Sequence, residues 1–190
     1  MNASLISIIF LSLVHIGLGI FKSFSPPRLL SFGSGVAIAY VFVDLLPKLC
    51  LSDQIVQESG FLPFFERHVY VLALIGFLYF YFIEKKRYEI FSVAGYVFFN
   101  YLIGYSIGDI NDQEVRPLAL FTFAIGLHYF TTDYAMREKN PVEYHQLIRW
   151  LSVIALFAGW GTNYWVELSK TAVALMAAFI AGGVILNVTR

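Results

Sequence analysis

Seven long apolar segments, separated by short polar stretches, follow one another along the chain. A helix that crosses the hydrocarbon core of a bilayer needs about 20 predominantly apolar residues, and each segment comes close to that length. The polar stretches hold residues typical of turns, such as Pro26-Pro27 and Asn140-Pro141. The pattern therefore predicts seven helices with short connections. They cover residues 4–21, 29–50, 68–84, 89–109, 117–137, 147–165 and 169–188.

The composition agrees with a membrane protein. Of the 190 residues, 58% are hydrophobic and only 14% are charged, and the charged residues concentrate between the apolar segments. We therefore predict an all-α polytopic membrane protein, a single transmembrane domain over residues 1–190 surrounded by the lipid bilayer. The net formal charge is zero, so nothing indicates a nucleic-acid partner. The only cysteine, Cys50, excludes an internal disulfide and a zinc site built on paired cysteines.

The Lys and Arg residues are distributed unequally between the two sets of connections. One set, which includes the basic run Lys85-Lys86-Arg87, holds nine of the thirteen, and the other set holds four. Connections rich in Lys and Arg stay in the cytoplasm, so we predict that the N-terminus lies outside the cell membrane and the C-terminus inside. The outer connections also collect acidic residues, which either form a solvated rim or concentrate cations at an acidic mouth.

Two of the segments resemble each other. FGSGVAIAYV in the second and IAGGVILNV in the seventh both place glycine before a Val-rich apolar run. The predicted directions of these two helices are opposite, as an inverted repeat requires, although a chance match between Gly-Val-rich helices is the rival interpretation. A repeat of three helices would call for an eighth helix, and the sequence has no clear eighth segment.

Polar residues interrupt the apolar segments at several places. A charged residue at the centre of a bilayer costs roughly 2.5–3.5 kcal/mol on insertion scales, so each interruption is a candidate functional residue. The candidates are His15, Asp44, Asn100, His128 and Asp133.

Each candidate also has a structural interpretation. His15 could be a neutral imidazole that hydrogen-bonds a neighbouring helix. Asp44, one turn from the outer surface, could be hydrated there. Asp133 could pair with Arg137, which follows one turn later on the same helix. Asn100 could bond a helix that approaches closely over small residues.

Glycine and proline mark two further features of these segments. Gly104 and Gly108 lie one and two turns after Asn100, in the small-xxx-small spacing that lets a neighbouring helix come close. Pro47 is expected to end or kink the second helix near its exit, because proline cannot donate a helical hydrogen bond.

Three stretches resemble helices of the ZIP family of divalent metal transporters. SGVAIAYVFVDLLPK (34–48) resembles that family's second helix, which starts with glycine and ends in an H-L-L-P-E-like motif. FNYLIGYSIG (99–108) resembles the fourth helix, H-N-x-x-D-G-x-x-x-G, and HYFTTD (128–133) falls where the fifth has H-E-x-P-H-E. The predicted topology also agrees with the family. The resemblance implies a ZIP-like helical bundle that lacks a clear eighth helix.

The chain departs from the family at most of the metal-ligand positions. In the fourth helix, Phe99 and Ile103 stand where the family has two ligands four residues apart, a spacing that puts both on one helix face. In the fifth helix each ligand-bearing face keeps one strong candidate, His128 on the first and Asp133 on the second. Asp44 stands at the position of the family's histidine in the second helix.

The resemblance therefore implies a reduced metal site. Its candidate ligands are His128, Asp133, Asn100 and Asp44, and its ion would be a divalent metal such as Zn, Mn, Fe or Mg. Carboxylate and amide oxygens suit Mn, Mg or Ca better than zinc. Large side chains could instead fill the space that an ion and its waters would take. These are Phe98, Phe99, Tyr101, Tyr105, Tyr129 and Phe130.

The implied function is that of an integral membrane transporter of a divalent metal cation with a rearranged or reduced site. The alternative is a transport-inactive ZIP-fold protein that acts as a sensor, a binding protein or an assembly partner. No G-x-S-x-G, H-E-x-x-H or phosphate-binding motif is present, so we do not expect an enzyme. The stripes Gly104/Gly108 and Ala174/Ala177/Ala178/Ala181 could pack within one chain or between the two copies of a homodimer.

Overall fold

The computed structural model describes residues 2–20, 27–60, 67–85, 89–109, 115–139 and 141–188, and in these ranges it has seven helices and no strand. The predicted all-α class is confirmed, and each predicted segment corresponds to one helix. The helices are α1 (Ala3–Ile20), α2 (27–58), α3 (His68–Lys85), α4 (Glu89–Asp109), α5 (Val115–Lys139), α6 (141–163) and α7 (Lys170–Val188).

Helix α2 runs past the point where Pro47 was expected to end or kink it. Proline has no N–H, so the carbonyl four residues before it cannot receive the usual helical hydrogen bond. Residues Val41–Leu45 form a π-helical turn, and the Leu46 N–H reaches back to the carbonyl five residues earlier. The α-helix then continues to Glu58. The predicted end at residue 50, and the predicted connection from Asp53 onward, are therefore wrong over residues 51–58.

The helices cluster into two compact units. Unit 1 contains residues 1–37 and 96–165, and unit 2 contains residues 38–95 and 166–190. In unit 1, α1 packs against both α5 and α6. In unit 2, α3 packs along α7, and the C-terminal part of α2 packs against both of them.

Two glycines let α4 and α6 approach backbone to backbone in unit 1. A Cβ on Gly104 would overlap the carbonyl oxygen of Leu156, and a Cβ on Gly159 would overlap that of Tyr101. Gly108 lies against the side chain of Asn163 one turn further along. The small residues predicted to let a neighbouring helix come close therefore do so within one chain. Because glycine has no side chain, the two helix backbones touch each other directly.

The same arrangement recurs in unit 2 between α3 and α7. A Cβ on Gly76 would overlap the carbonyl oxygen of Phe179, and a Cβ on Gly182 would overlap that of Ala73. In both helix pairs each glycine meets the residue that lies three positions before the partner glycine. The same reciprocal contact, between a glycine and a backbone carbonyl of the partner helix, therefore occurs in both helix pairs.

Among the described residues, one helix is long and apolar enough to cross a membrane: the stretch Ser31–Glu58 of α2, near the N-terminus. Three shorter apolar helical stretches fall below that length, namely Ala3–Gly17, His68–Phe82 and Lys170–Leu186. The core helix of a soluble protein and a signal sequence pass the same test. The membrane location is therefore part of the proposal made below.

Candidate functional site

Three helices of unit 1 bring a polar cluster into a fully buried position. His15 comes from α1, Tyr96 and Asn100 from α4, and Asp133 from α5. His15, Asn100 and Asp133 each have no exposed surface at all, and Tyr96 retains only 6%. Uncompensated polar groups are costly to bury, so this cluster has to satisfy its own hydrogen bonds.

The imidazole of His15 joins the other two helices. Its Nδ1 lies 2.6 Å from Oδ2 of Asp133, and its Nε2 lies 2.9 Å from Oδ1 of Asn100. The second carboxylate oxygen of Asp133 accepts a hydrogen bond of 2.7 Å from the hydroxyl of Tyr96. Each of the four side chains is thus bonded to at least one other member of the cluster or to its backbone.

The orientation of the Asn100 amide is assigned by its own helix. Its Nδ2 donates to the backbone carbonyl of Tyr96, one turn earlier, at 2.9 Å. A flipped amide would set oxygen against oxygen there, so Oδ1 has to face His15. Because Oδ1 can only accept, Nε2 of His15 carries a proton.

The bond between His15 and Asp133 contains one further proton. A proton on Nδ1 makes an imidazolium–carboxylate pair, and a proton on Oδ2 makes a neutral pair. In both forms the pair as a whole is neutral, which avoids the several kcal/mol that an isolated buried ion costs. The hydroxyl of Tyr96 donates to the other oxygen of Asp133, and it can do so in either form.

Aromatic rings enclose the imidazole. The ring of Tyr129 lies against it with the centroids 4.4 Å apart and the planes tilted by 33°, and the ring of Tyr96 meets it edge-on at 6.1 Å. The hydroxyl of Tyr144 donates to the backbone carbonyl of His15 at 3.3 Å. Tyr144 begins the π-helical turn Tyr144–Ile148 of α6, a type of turn that is frequent at functional sites.

Two of the four predicted metal ligands belong to this cluster. Asn100 and Asp133 flank His15 from opposite ends of its ring. His128 is also buried, at 5% exposed, and its ring packs against Phe99 with the centroids 5.5 Å apart. Asp44 lies in the π-helical turn of α2, in unit 2, and its side chain is outside what the structure describes.

The structure bears on the structural interpretation of His15 and gives the partners of Asp133. His15 does bond neighbouring helices, as one interpretation expected, and it bonds two of them. Asp133 binds His15 and Tyr96. Arg137 lies over the ring of Tyr134 and approaches Glu138 at 3.9 Å.

The donor set in this arrangement does not fit a resident metal ion. Both oxygens of Asp133 and the oxygen of Asn100 are already engaged in hydrogen bonds. In the described part of the chain, no group of three or more His, Cys, Asp or Glu side chains is placed to hold a metal. A metal would have to displace the imidazole of His15 to reach these oxygens.

Half of the large residues that were predicted to fill the space of an ion are buried. Phe99, Tyr105 and Tyr129 each retain 2% exposure or less, whereas Phe98 is 46% exposed. Tyr129 contacts the imidazole of His15 directly, and Phe99 packs on the ring of His128. Phe99, where the resemblance implies a ligand, therefore contributes hydrocarbon to the core.

Tyr96 is not among the residues predicted from the sequence, and His15 is not among the predicted metal ligands. A signal for Tyr96 was present, because Tyr96 and Asn100 are four residues apart and share a helix face. The link from His15 to Asp133 spans 118 positions, and no local pattern contains it. Comparison of the chain with models of protein families, with curated proteins and with solved structures found no match.

Proposed function

We propose that this chain is an integral membrane carrier with a ZIP-like helical bundle and that its cargo is a divalent metal cation. The observation that carries the proposal is the buried cluster of unit 1, in which Asn100 and Asp133 point their oxygens at a group that can bear positive charge. Ionisable residues inside membrane bundles typically mark ion pathways or proton relays.

The distribution of apolar side chains supports a membrane environment. Large apolar residues are exposed on the helices of both units while polar ones are buried, as expected when lipid surrounds the bundle. Examples are Leu13 at 59%, Val43 at 77%, Leu74 at 56%, Leu120 at 57% and Ile154 at 62% exposed.

The division of the chain into two compact units also agrees with a carrier. Carriers commonly achieve alternating access by moving one helical bundle against another around a binding site. All described members of the cluster lie in unit 1, so a bound cation would travel with that unit. In this proposal the metal reaches Asp133 and Asn100 only when the His15 imidazole has moved away.

Uptake into proteoliposomes tests the carrier directly. We expect Asp133→Asn to abolish accumulation of a divalent cation, measured with Mn²⁺ and Zn²⁺ separately, because the amide keeps the shape and removes the charge. Glu138→Gln is the matched control, since Glu138 is on the same helix and its side chain is 61% exposed. It should transport like the parent protein. If the double variant His128→Ala/Asp133→Ala takes up metal as fast as the parent, the carrier proposal is wrong.

The second candidate is a transport-inactive protein of the same fold that serves as a sensor, a binding protein or an assembly partner. The saturation of the Asp133 and Asn100 oxygens by His15 and Tyr96 favours it. This candidate predicts purified protein without a tightly bound metal and liposomes without uptake. A stoichiometric transition metal in the purified protein, measured by mass spectrometry, would count against it.

A further inference from the structure

We propose that the core of unit 1 contains a binding site for a single water molecule, formed by the hydroxyl groups of Ser12 on α1, Tyr129 on α5 and Ser152 on α6. On α1 the site lies one turn before His15, and it shares none of the hydrogen bonds of the His15 cluster. The inference goes beyond the carrier proposal and holds whether or not the chain transports a metal.

The three hydroxyl groups are deeply buried. Ser12 is 5% exposed, and Tyr129 and Ser152 have no exposed surface. Within the part of the chain that the structure describes, none of the three oxygens has a hydrogen-bond partner. Buried polar groups in native proteins are nearly always bonded to protein or to ordered water, because a missing hydrogen bond costs free energy. Three such groups in one unit therefore need an explanation.

Ser12 differs in this respect from the other buried serines of α1. The hydroxyl of Ser4 accepts a hydrogen bond from Trp160 of α6, and that of Ser7 accepts one from Thr122 of α5. Ser7 also bonds the carbonyl four residues earlier on its own helix, as serines in helices often do. Ser12 makes neither kind of bond to the described residues.

Two contacts show that α1 and α6 run antiparallel. The hydroxyl oxygen of Ser4 lies 3.3 Å from the indole nitrogen of Trp160. Eleven residues later on α1, the carbonyl oxygen of His15 lies 3.3 Å from the hydroxyl oxygen of Tyr144. Residue numbers therefore fall along α6 as they rise along α1.

This register places Ser12 and Ser152 at the same level of the helix pair. Ser12 follows Ser4 by eight residues, and Ser152 precedes Trp160 by eight residues. Both stretches are α-helical, so both rise by the same amount along the helix axis. The two buried hydroxyl groups make no hydrogen bond to each other. A water molecule bridges two polar groups that are too far apart for a direct bond.

Tyr129 brings the third hydroxyl group from α5. Its ring lies against the imidazole of His15 with the centroids 4.4 Å apart, one turn from Ser12 on α1. The same ring meets those of Tyr96 and Phe99 on α4, with centroid distances of 6.2 Å and 6.4 Å. The ring of Tyr129 thus reaches from α5 between α1 and α4. Its hydroxyl group therefore lies in the interior of the unit.

Water matches this set of groups. Each hydroxyl offers one donor and an acceptor oxygen, and its hydrogen rotates to suit the partner. A buried water typically makes about three hydrogen bonds to polar groups that the protein leaves unsatisfied. No carboxylate is among the three groups, so a neutral ligand fits better than a metal ion. The water also completes a series of polar contacts along the buried face of α1, from Ser4 to His15.

Solid-state NMR on the unmodified protein in lipid bilayers detects such a water. Magnetisation is transferred from water protons to the ¹³C-labelled protein. We expect early transfer to the side chains of Ser12, Ser152 and Tyr129. Ile107, which is fully buried in the same unit, should receive magnetisation much later. Transfer to Ser12 and Ser152 as slow as transfer to Ile107 would overturn the proposal.

A double-mutant cycle tests whether the hydroxyl groups share one ligand. Ser12→Ala and Ser152→Ala should each lower the Tm of the detergent-solubilised protein by about 2–4 °C, the shift that one lost hydrogen bond produces in a chain of this size. The double variant should lose clearly less than both shifts together, because the second hydroxyl contributes little once the water is released. Ser7→Ala is the matched control. Ser7 bonds Thr122 directly, so its effect should add to that of Ser152→Ala.

Without a shared water the shifts should have the opposite sign. Removal of a buried hydroxyl that bonds nothing should raise the Tm, and the effects of the two substitutions should add. A raised Tm of either single variant, or additive shifts in the double variant, would overturn the proposal. Metal uptake is not measured in these experiments. Absent uptake therefore leaves this proposal standing, and a dry core leaves the carrier proposal standing.

Discussion

The buried carboxyl group of Asp133 relies on Tyr96 and His15 for its hydrogen bonds. Hydrogen bonds to charged groups contribute about 1.5–3 kcal/mol each, and the loss of a donor leaves part of the charge unsolvated. Single substitutions in the cluster should therefore be far more costly than similar substitutions nearby.

Tyr96→Phe is the mildest test of this dependence. The ring and its edge-on contact with His15 remain, and only the donor to Asp133 is lost. We expect the free energy of unfolding to fall by about 1.5–3 kcal/mol. Tyr134→Phe is the control, because the contact of Tyr134 with Arg137 is made by its ring. Denaturant unfolding of the detergent-solubilised proteins measures both, and equal stability of the two variants would contradict the assigned bond.

At the level of helices, glycine decides which pairs come closest. Gly104 and Gly159 bring α4 against α6, and Gly76 and Gly182 bring α3 against α7. The sequence echo between the second and seventh segments suggested an inverted repeat, with a chance match as the rival interpretation. In the echo, Gly35 and Gly183 each precede a valine; nothing lies within 4 Å of a Cβ on Gly35, whereas a Cβ on Gly183 would meet the ring of Phe80 on α3. The two echoed glycines therefore have different neighbours.

Two glycine-to-alanine substitutions distinguish the effect of close helix packing on stability from the effect of helix propensity. Gly104→Ala should destabilise the protein by about 1–3 kcal/mol, because the added Cβ meets a backbone carbonyl that cannot move aside. Gly17→Ala should be neutral or stabilising by up to about 1 kcal/mol, because nothing lies within 4 Å of its Cβ and alanine favours helix. Thermal unfolding of the two variants checks the difference. A Gly104→Ala protein as stable as the parent would rule out the close contact between α4 and α6.

For the chain as a whole, the predicted orientation in the membrane does not follow from the fold. It rests on the distribution of Lys and Arg between the connections, and no internal contact bears on it. The single cysteine makes the orientation simple to measure, because Cys50→Ser yields a background without thiols.

In that background we expect Glu167→Cys to react with a membrane-impermeant maleimide in intact cells. Glu138→Cys should react only after the cells are permeabilised. Glu167 and Glu138 are both exposed, so access to either thiol depends on the side of the membrane. The reverse pattern would invert the topology, and labelling of both residues in intact cells would exclude a spanning bundle.

The pattern of apolar residues was sufficient for the number and type of the helices. A helix needs only its own sequence to repeat an apolar face, and each of the seven segments carries that information. The inward direction of Asn100 and Asp133 was also foreseeable, because isolated polar groups avoid lipid. The close approach at Gly104 followed from the small-residue spacing alone.

The partners of the buried residues depend on how the helices are rotated and shifted against one another, and only the folded chain determines that. The extension of α2 beyond Pro47 depended on a π-helical turn that local preferences did not predict. The bond between His15 and Asp133 joins residues 118 positions apart, and no single helix contains it. Secondary structure is a short-range property of the sequence. The assembly of a site from three helices depends on the packing of the entire unit.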